Sequence, residues 1–132
     1  MSIDRASRLF LAAIVSFVVL PASAADRVRA GEWETTLILA GRSVTKSVCI
    51  TQADADALNG DAKSMRAYVD KVNVGTNCKV DDIKINGNQV TVTSTCGDGK
   101  QRVGTTTYHG DSSESVTSNG LKSQSKWIGP CK

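Results

Sequence analysis

Between residues 78 and 96 the chain reads Cys78-Lys79-Val80-Asp81-Asp82-Ile83-Lys84-Ile85-Asn86-Gly87-Asn88-Gln89-Val90-Thr91-Val92-Thr93-Ser94-Thr95-Cys96. Apolar and polar residues alternate on both sides of Gly87-Asn88, the period-2 signature of two half-buried strands. Gly87-Asn88 suits a two-residue type II′ turn with glycine at the first central position. That turn sets Ile85 opposite Val90 and Ile83 opposite Val92, four side chains on one face. Carried further, the same register would put Cys96 against Lys79 and turn Val80 away from the face of Val92. One extra residue repairs both faults. A β-bulge at Asp81-Asp82 brings Val80 opposite Ser94 and Cys78 opposite Cys96, with Cα atoms roughly 4.5 to 5.5 Å apart and within disulfide reach. The predicted bridge is Cys78 with Cys96.

Two cysteines remain, Cys49 and Cys131, and an even set of four in an exported domain implies two disulfides. A zinc site is the competing reading, but structural zinc uses short Cys-x2-4-Cys knuckles. No two cysteines here are closer than Cys78 and Cys96, which also removes a redox Cys-x-x-Cys. Pairing Cys49 with Cys131 would tie the last residues back to the end of an early strand. In the loop-entropy model each bridge stabilises the fold by roughly 3 to 4.5 kcal/mol, the longer loop by more.

Export is read from the first residues. Arg5 and Arg8 precede an apolar run from Leu9 to Leu20, and Pro21-Ala22-Ser23-Ala24-Ala25 follows with small residues. A basic start, about a dozen apolar residues and a small-x-small site make a cleavable signal peptide. The expected division is 1-24 signal peptide and 25-132 a single disulfide-bonded mature domain. The run is shorter than the roughly 20 residues that span a bilayer, and no cysteine sits at the cut site to take a lipid. Both phenylalanines, Phe10 and Phe17, leave with the leader. From Val28 to Ile128 the chain carries 20 Leu, Ile and Val, just under the one-fifth level below which a core is hard to build. So thin a core needs covalent support.

The formal net charge is +3, about +2 once Asp4, Arg5 and Arg8 are gone. Lys and Arg are scattered among Asp and Glu without the basic stripe that a phosphate backbone requires. Nucleic acid is therefore not an expected partner, and the mature form has no expected membrane span.

Outward from the Cys78 hairpin, Trp33-Glu34-Thr35-Thr36-Leu37-Ile38-Leu39 places Trp33, Thr35, Leu37 and Leu39 on one face. Ala40-Gly41-Arg42 reverses the chain into Ser43 to Ile50, a first antiparallel hairpin. Thr51 caps a short helix with Asp54 three residues on, Ile50 staples to Ala55, and Gly60 closes it. Asp61 caps a second helix, where Ala62, Met65, Val69 and Val72 recur at helical spacing with Tyr68 beside them. Beyond Cys96, Gln101 to His109 alternates weakly, Gly110-Asp111 turns the chain, and Asn119-Gly120 signals a type I′ hairpin joining Ser115-Ser118 to Leu121-Trp127. Val116 and Leu121 are nearly the only aliphatics of that last ribbon, with Trp127 and Ile128 expected to anchor its end. The fold class is α+β, mainly antiparallel β: a meander-type sheet of about six to seven strands, a two-helix excursion after the second strand, and two disulfides.

Several of these pieces resemble an exported bacterial family catalogued as domain of unknown function 3617. They are Gly31-Glu32-Trp33-Glu34 opening the first strand, Cys49 ahead of the helices, the spaced pair Cys78 and Cys96, Gly110-Asp111-Ser112, and the closing Trp127-Ile128-Gly129-Pro130-Cys131. One departure is Ser113, where many relatives carry an aromatic. The resemblance implies an envelope or periplasmic location in a Gram-negative bacterium and no assigned activity.

Catalysis is not expected. The only histidine, His109, lies near a strand end with no Gly-x-Ser-x-Gly elbow, and the cysteines are committed to bridges. Asp81-Asp82 and Asp54/Asp56 are the nearest carboxylate pairs, but neither spacing aims two carboxyls at one point. Asp98-Gly99 and Gly110-Asp111 lack the alternating acids of a calcium loop. No metal or other cofactor is expected. Trp33 and Trp127 read as core anchors. A sharper reading has Trp33, Leu37, Met65, Val69, Val72 and Trp127 lining an apolar pocket between the sheet and the second helix. The expected function is a non-enzymatic envelope or periplasmic protein that binds a small apolar ligand or an envelope protein. Its rivals are an inhibitor of an exported hydrolase and an unrecognised enzyme. With so few aliphatics, the fully reduced protein should be poorly folded: circular dichroism with and without reductant would show loss of the β signal, and a stable reduced form would contradict this.

Overall fold

In the computed structural model the described residues are 26–132; the expected leader lies outside them. Nine elements follow in the order β1 (Gly31–Leu39), β2 (Arg42–Ile50), α1 (Gln52–Asn59), α2 (Ala62–Val72), β3 (Cys78–Asn86), β4 (Gln89–Cys96), β5 (Gln101–Tyr108), β6 (Ser112–Thr117) and β7 (Lys122–Gly129). The seven strands form one antiparallel sheet in the order β2-β1-β7-β6-β5-β4-β3. Strands β3 to β7 are a meander of successive neighbours, and β1 returns to pair with β7. The helices connect the two edge strands, β2 and β3, across one face.

The Cys78 hairpin has the expected register. Ile85 pairs with Val90, Ile83 with Val92, Val80 with Ser94 and Cys78 with Cys96, with the shift between Val80 and Asp82. Gly87 at φ +59° takes the position that only glycine adopts readily. Asp81 is the extra residue. Its carboxylate accepts the Thr95 hydroxyl at 2.6 Å, while Arg66 of α2 donates to the carbonyls of Val80 (3.1 Å) and Asp81 (2.9 Å). One guanidinium thus holds two successive carbonyls at the bulge of this edge strand. Both disulfides form, Cys78–Cys96 with Cα atoms 3.8 Å apart and Cys49–Cys131 with Cα atoms 5.5 Å apart; the first is closer than a regular narrow pair.

Turn chemistry departs from expectation at Asn119-Gly120. A type I′ turn needs positive φ at both central residues, but only Gly120 (φ +88°) has it. Gly120 N–H donates to Thr117 O at 2.9 Å and Thr117 N–H to Leu121 O at 2.8 Å. The loop is the three-residue form with glycine at its bulge, so β6 ends at Thr117 and β7 begins at Lys122 instead of Ser118 and Leu121; at its other end β6 already begins at Ser112 instead of Ser115. Ala40 (φ +50°) and Gly41 (φ +76°) do form a two-residue turn with both φ positive.

Both helix N-caps are as expected: Thr51 Oγ1 accepts from Asp54 N at 3.1 Å and Asp61 Oδ1 from Ser64 N at 2.8 Å. Gly60 is not a left-handed cap, since its φ is −78°. It is small for another reason. A Cβ there would come within 2.9 Å of Ser64 Cβ, where the second helix starts its first turn. The stripe on α2 is narrower than periodicity suggests: Met65 is 1% exposed, with Tyr68 and Val69 packed beside it, but Val72 is 52% exposed. Ala62 is exposed as well. Leu39 and Ile128 also face solvent, because the helices cover only one end of the sheet and Ile128 is the extra residue where Glu32 pairs with Gly129 and Trp33 with Trp127.

The core joins Val28, Trp33, Ile50, Ala55, Leu58, Met65, Val80, Ile83 and Val90. Above it Arg27 is buried, 8% exposed. Its guanidinium donates to Leu58 O (2.9 and 3.1 Å), Gly60 O (2.7 Å) and Gly87 O (3.3 Å). Asn59 completes the junction, its amide pairing in both directions with the backbone of Val28. A lysine carries its three donors on one nitrogen and lacks the planar fork that here spreads four hydrogen bonds over three carbonyls. Arg27→Ala should lower stability by about 3 kcal/mol, since it strands buried carbonyls and loses charge-assisted bonds, and Arg27→Lys should recover little of it. Urea unfolding of the oxidised protein measures both.

Candidate functional site

Alternation along the strands lays side chains in rows across the face that carries the helices. One row reads Lys46 (β2), Thr35 (β1), Ser125 (β7), Ser113 (β6) and Tyr108 (β5), each the ladder partner of the next. The adjacent row nearer the helices begins Val48 and Trp33. Over these rows stand Leu58 of α1, Tyr68 of α2 and Val28 of the arm before β1. Together with Ile50 they bound an open groove of about 290 Å³. Its inner half is apolar and aromatic, and its outer half is the hydroxyl row ending in Lys46. The size is at the low end of the roughly 300–1,000 Å³ typical of small-molecule sites.

Polar groups in the groove are mostly uncommitted. Thr35 and Ser125 share a hydroxyl hydrogen bond at 2.9 Å, and the Trp33 indole N–H donates to Arg29 O at 3.0 Å. Burial pushes the phenol of Tyr108 up, opposed by Arg27 and reinforced by Tyr68; burial also pushes Tyr68 up, with Asp54 adding to it. Both phenols are therefore neutral donors at physiological pH.

Of the six side chains expected to line a pocket, only Trp33 lines this groove. Met65 and Val69 pack into the core beneath α2, Val72 is exposed, and Leu37 lies on the same face beyond the hydroxyl row. Trp127 stands against Gly31, donating its N–H to Ala30 O at 3.1 Å under the Arg29 guanidinium, 3.6 Å from the ring centroid. Lys46, Tyr68 and Tyr108 belong to the site without having been singled out for it. A lone cation alternating with Val44 and Val48 was the available signal for Lys46.

The opposite face has a larger depression, about 370 Å³, lined by residues that include Glu34, His109, Glu114 and Lys126. Lys126 meets Glu34 at 3.1 Å, and His109 Nε2 lies 3.6 Å from Glu114. No serine or threonine hydroxyl is hydrogen-bonded to His109 among the described residues. The carboxylates once paired by sequence are each engaged separately, Asp54 by Lys71 at 2.9 Å and Asp56 by Gln52 at 2.8 Å. The Lys71 bond, with the Thr51 cap, holds the Asp54 carboxyl below its ordinary value. Among the described residues no three of His, Cys, Asp and Glu converge, and no helix is long and apolar enough to cross a membrane.

A chain with this sheet, this two-helix insertion and these bridges belongs to a disulfide-bonded α+β class. Residues 28–131 match the family described as protein of unknown function (DUF3617), and the chain belongs to that family. No curated protein and no solved structure matches it.

The two tyrosines make stability fall at alkaline pH. Their unfolded value is about 10 and the folded value is raised, so the contribution is intact below pH 10 and is lost as the pH climbs above it. Urea midpoints between pH 8 and 11 should decline, and Tyr108→Phe, which removes the more buried phenol, should flatten the decline.

Proposed function

We propose that this protein is a non-enzymatic binding module of the bacterial envelope, acting in the periplasm and holding a small apolar ligand in the groove between the sheet and its two helices. The observation that carries the reading is the lining itself: Trp33, Tyr68, Tyr108, Leu58, Val28, Val48 and Ile50 converge on one open groove while much of the remaining sheet surface is Ser, Thr and charge. Two disulfides fit an oxidising compartment. Among the described residues no hydroxyl is hydrogen-bonded to His109 beside Glu114, which favours binding over hydrolysis. Inhibition of a hydrolase would need a free projecting side chain. At the Gly110-Asp111 turn the carboxylate of Asp111 is held by Arg29 at 3.1 Å and its carbonyl accepts from Trp127 N at 2.8 Å, which favours a ligand reading.

Ser113 offers the test, because a larger side chain there would occupy the groove from the floor. Native mass spectrometry of protein released gently from the periplasm should show a small-molecule adduct in the wild type and none in Ser113→Phe. An anilinonaphthalene dye should likewise bind the first and not the second. An empty wild-type protein that also ignores the dye would refute the proposal.

A further inference from the structure

We infer that the ligand is a single-chain amphiphile with a monoanionic head, its chain lying against Trp33, Leu58 and Tyr68 and its head held at Lys46; this rests on the groove being the binding site. The inference comes from the order of chemistry along the groove. Among the described residues Lys46 is the only charged one that lines the groove, and none of them pairs with it as an ion partner. It faces inward because Thr35 is its ladder partner, and that row continues as Ser125, Ser113 and Tyr108, all neutral hydroxyl donors.

Immediately nearer the helices the lining turns apolar, with no carboxylate anywhere along it. A wholly apolar ligand would leave this cation and hydroxyl shelf unused, and a cationic head would meet repulsion. One lysine supplies a single compact charge without the bidentate fork of arginine, which suits a monoanion such as a carboxylate. The hydroxyls can donate to its second oxygen. The cation stands at the open end, so the head can keep part of its water while the chain is covered.

Decanoate, decanol and decylamine carry the same chain with different heads. Titrated calorimetrically into the oxidised protein at low salt, decanoate should bind several-fold more tightly than decanol, the scale of one partly exposed ion pair, with decylamine weakest. Lys46→Met should bring decanoate down to the level of decanol, and Lys46→Glu should place decylamine above decanoate. Because Lys46 is exposed, both variants should keep the wild-type melting curve, which is checked alongside. Equal binding of decanoate and decanol by the wild type, or an unchanged order in Lys46→Glu, would overturn the head assignment while the apolar groove stands. Binding of none of the three would overturn both.

Discussion

The guanidinium of Arg27 is the point on which the arrangement turns. It gathers carbonyls 31, 33 and 60 residues away in sequence, joining the arm before β1, the end of α1 and the β3–β4 turn. Helix C-termini present unpaired carbonyls and the negative end of the helix dipole, so a buried cation is at home there. With the arm fixed, Val28 enters the core and one wall of the groove is set. Successive strand neighbours are specified by their own turns and β1 is held by its ladder with β7, but nothing in the sheet alone holds the far hairpin, the helices and the start of the described chain together at one end.

Among the described residues that end alone has a second layer. Nine of the described residues make up the buried apolar core, and they cluster where α1 and α2 lie. Farther along the sheet the face is carried by β-branched and hydroxyl side chains, which suit a pleated, half-solvated surface. On the opposite face, cross-strand hydroxyl pairs such as Thr36 with Thr45 and Thr91 with Thr105 bind neighbouring strands without needing burial. The groove is the boundary between these two regimes. Leu58 and Tyr68 are the last cover the helices provide, and Thr35, Ser113 and Ser125 begin the uncovered surface.

Sequence reading succeeded where several constraints met on the same residues. In the Cys78 hairpin, the alternation, the Gly87 turn and the pair of cysteines admit a single register, so even the bulge at Asp81 was legible. It overreached where one pattern had to report the size of a partner surface. Helical spacing includes Val72 and strand alternation includes Leu39, but neither pattern says how far the opposing layer extends. Asn119-Gly120 satisfies a two-residue and a three-residue loop equally well as a string. Arg27 was invisible because its partners are backbone carbonyls, which carry no residue-specific signal. The groove followed suit: Trp33 was foreseen, while Tyr108 entered only when the row Lys46–Thr35–Ser125–Ser113–Tyr108 was assembled from five strands.

Lys46 also answers a problem that open sheets face. Edge strands β2 and β3 expose unpaired backbone, and proteins discourage pairing there with bulges and with charges that point inward. On β3 the Asp81 bulge and Lys84 serve this end. β2 is a nine-residue strand without a bulge, with Val44 and Val48 exposed on the inward face, and Lys46 between them is the inward charge that interrupts it. A second strand docking on that edge would bring its own side chains toward the cation. An anionic head lying along the groove would instead approach from the open face, leaving the edge free. The same charge can therefore oppose one kind of partner and attract another, because the two approach it from perpendicular directions.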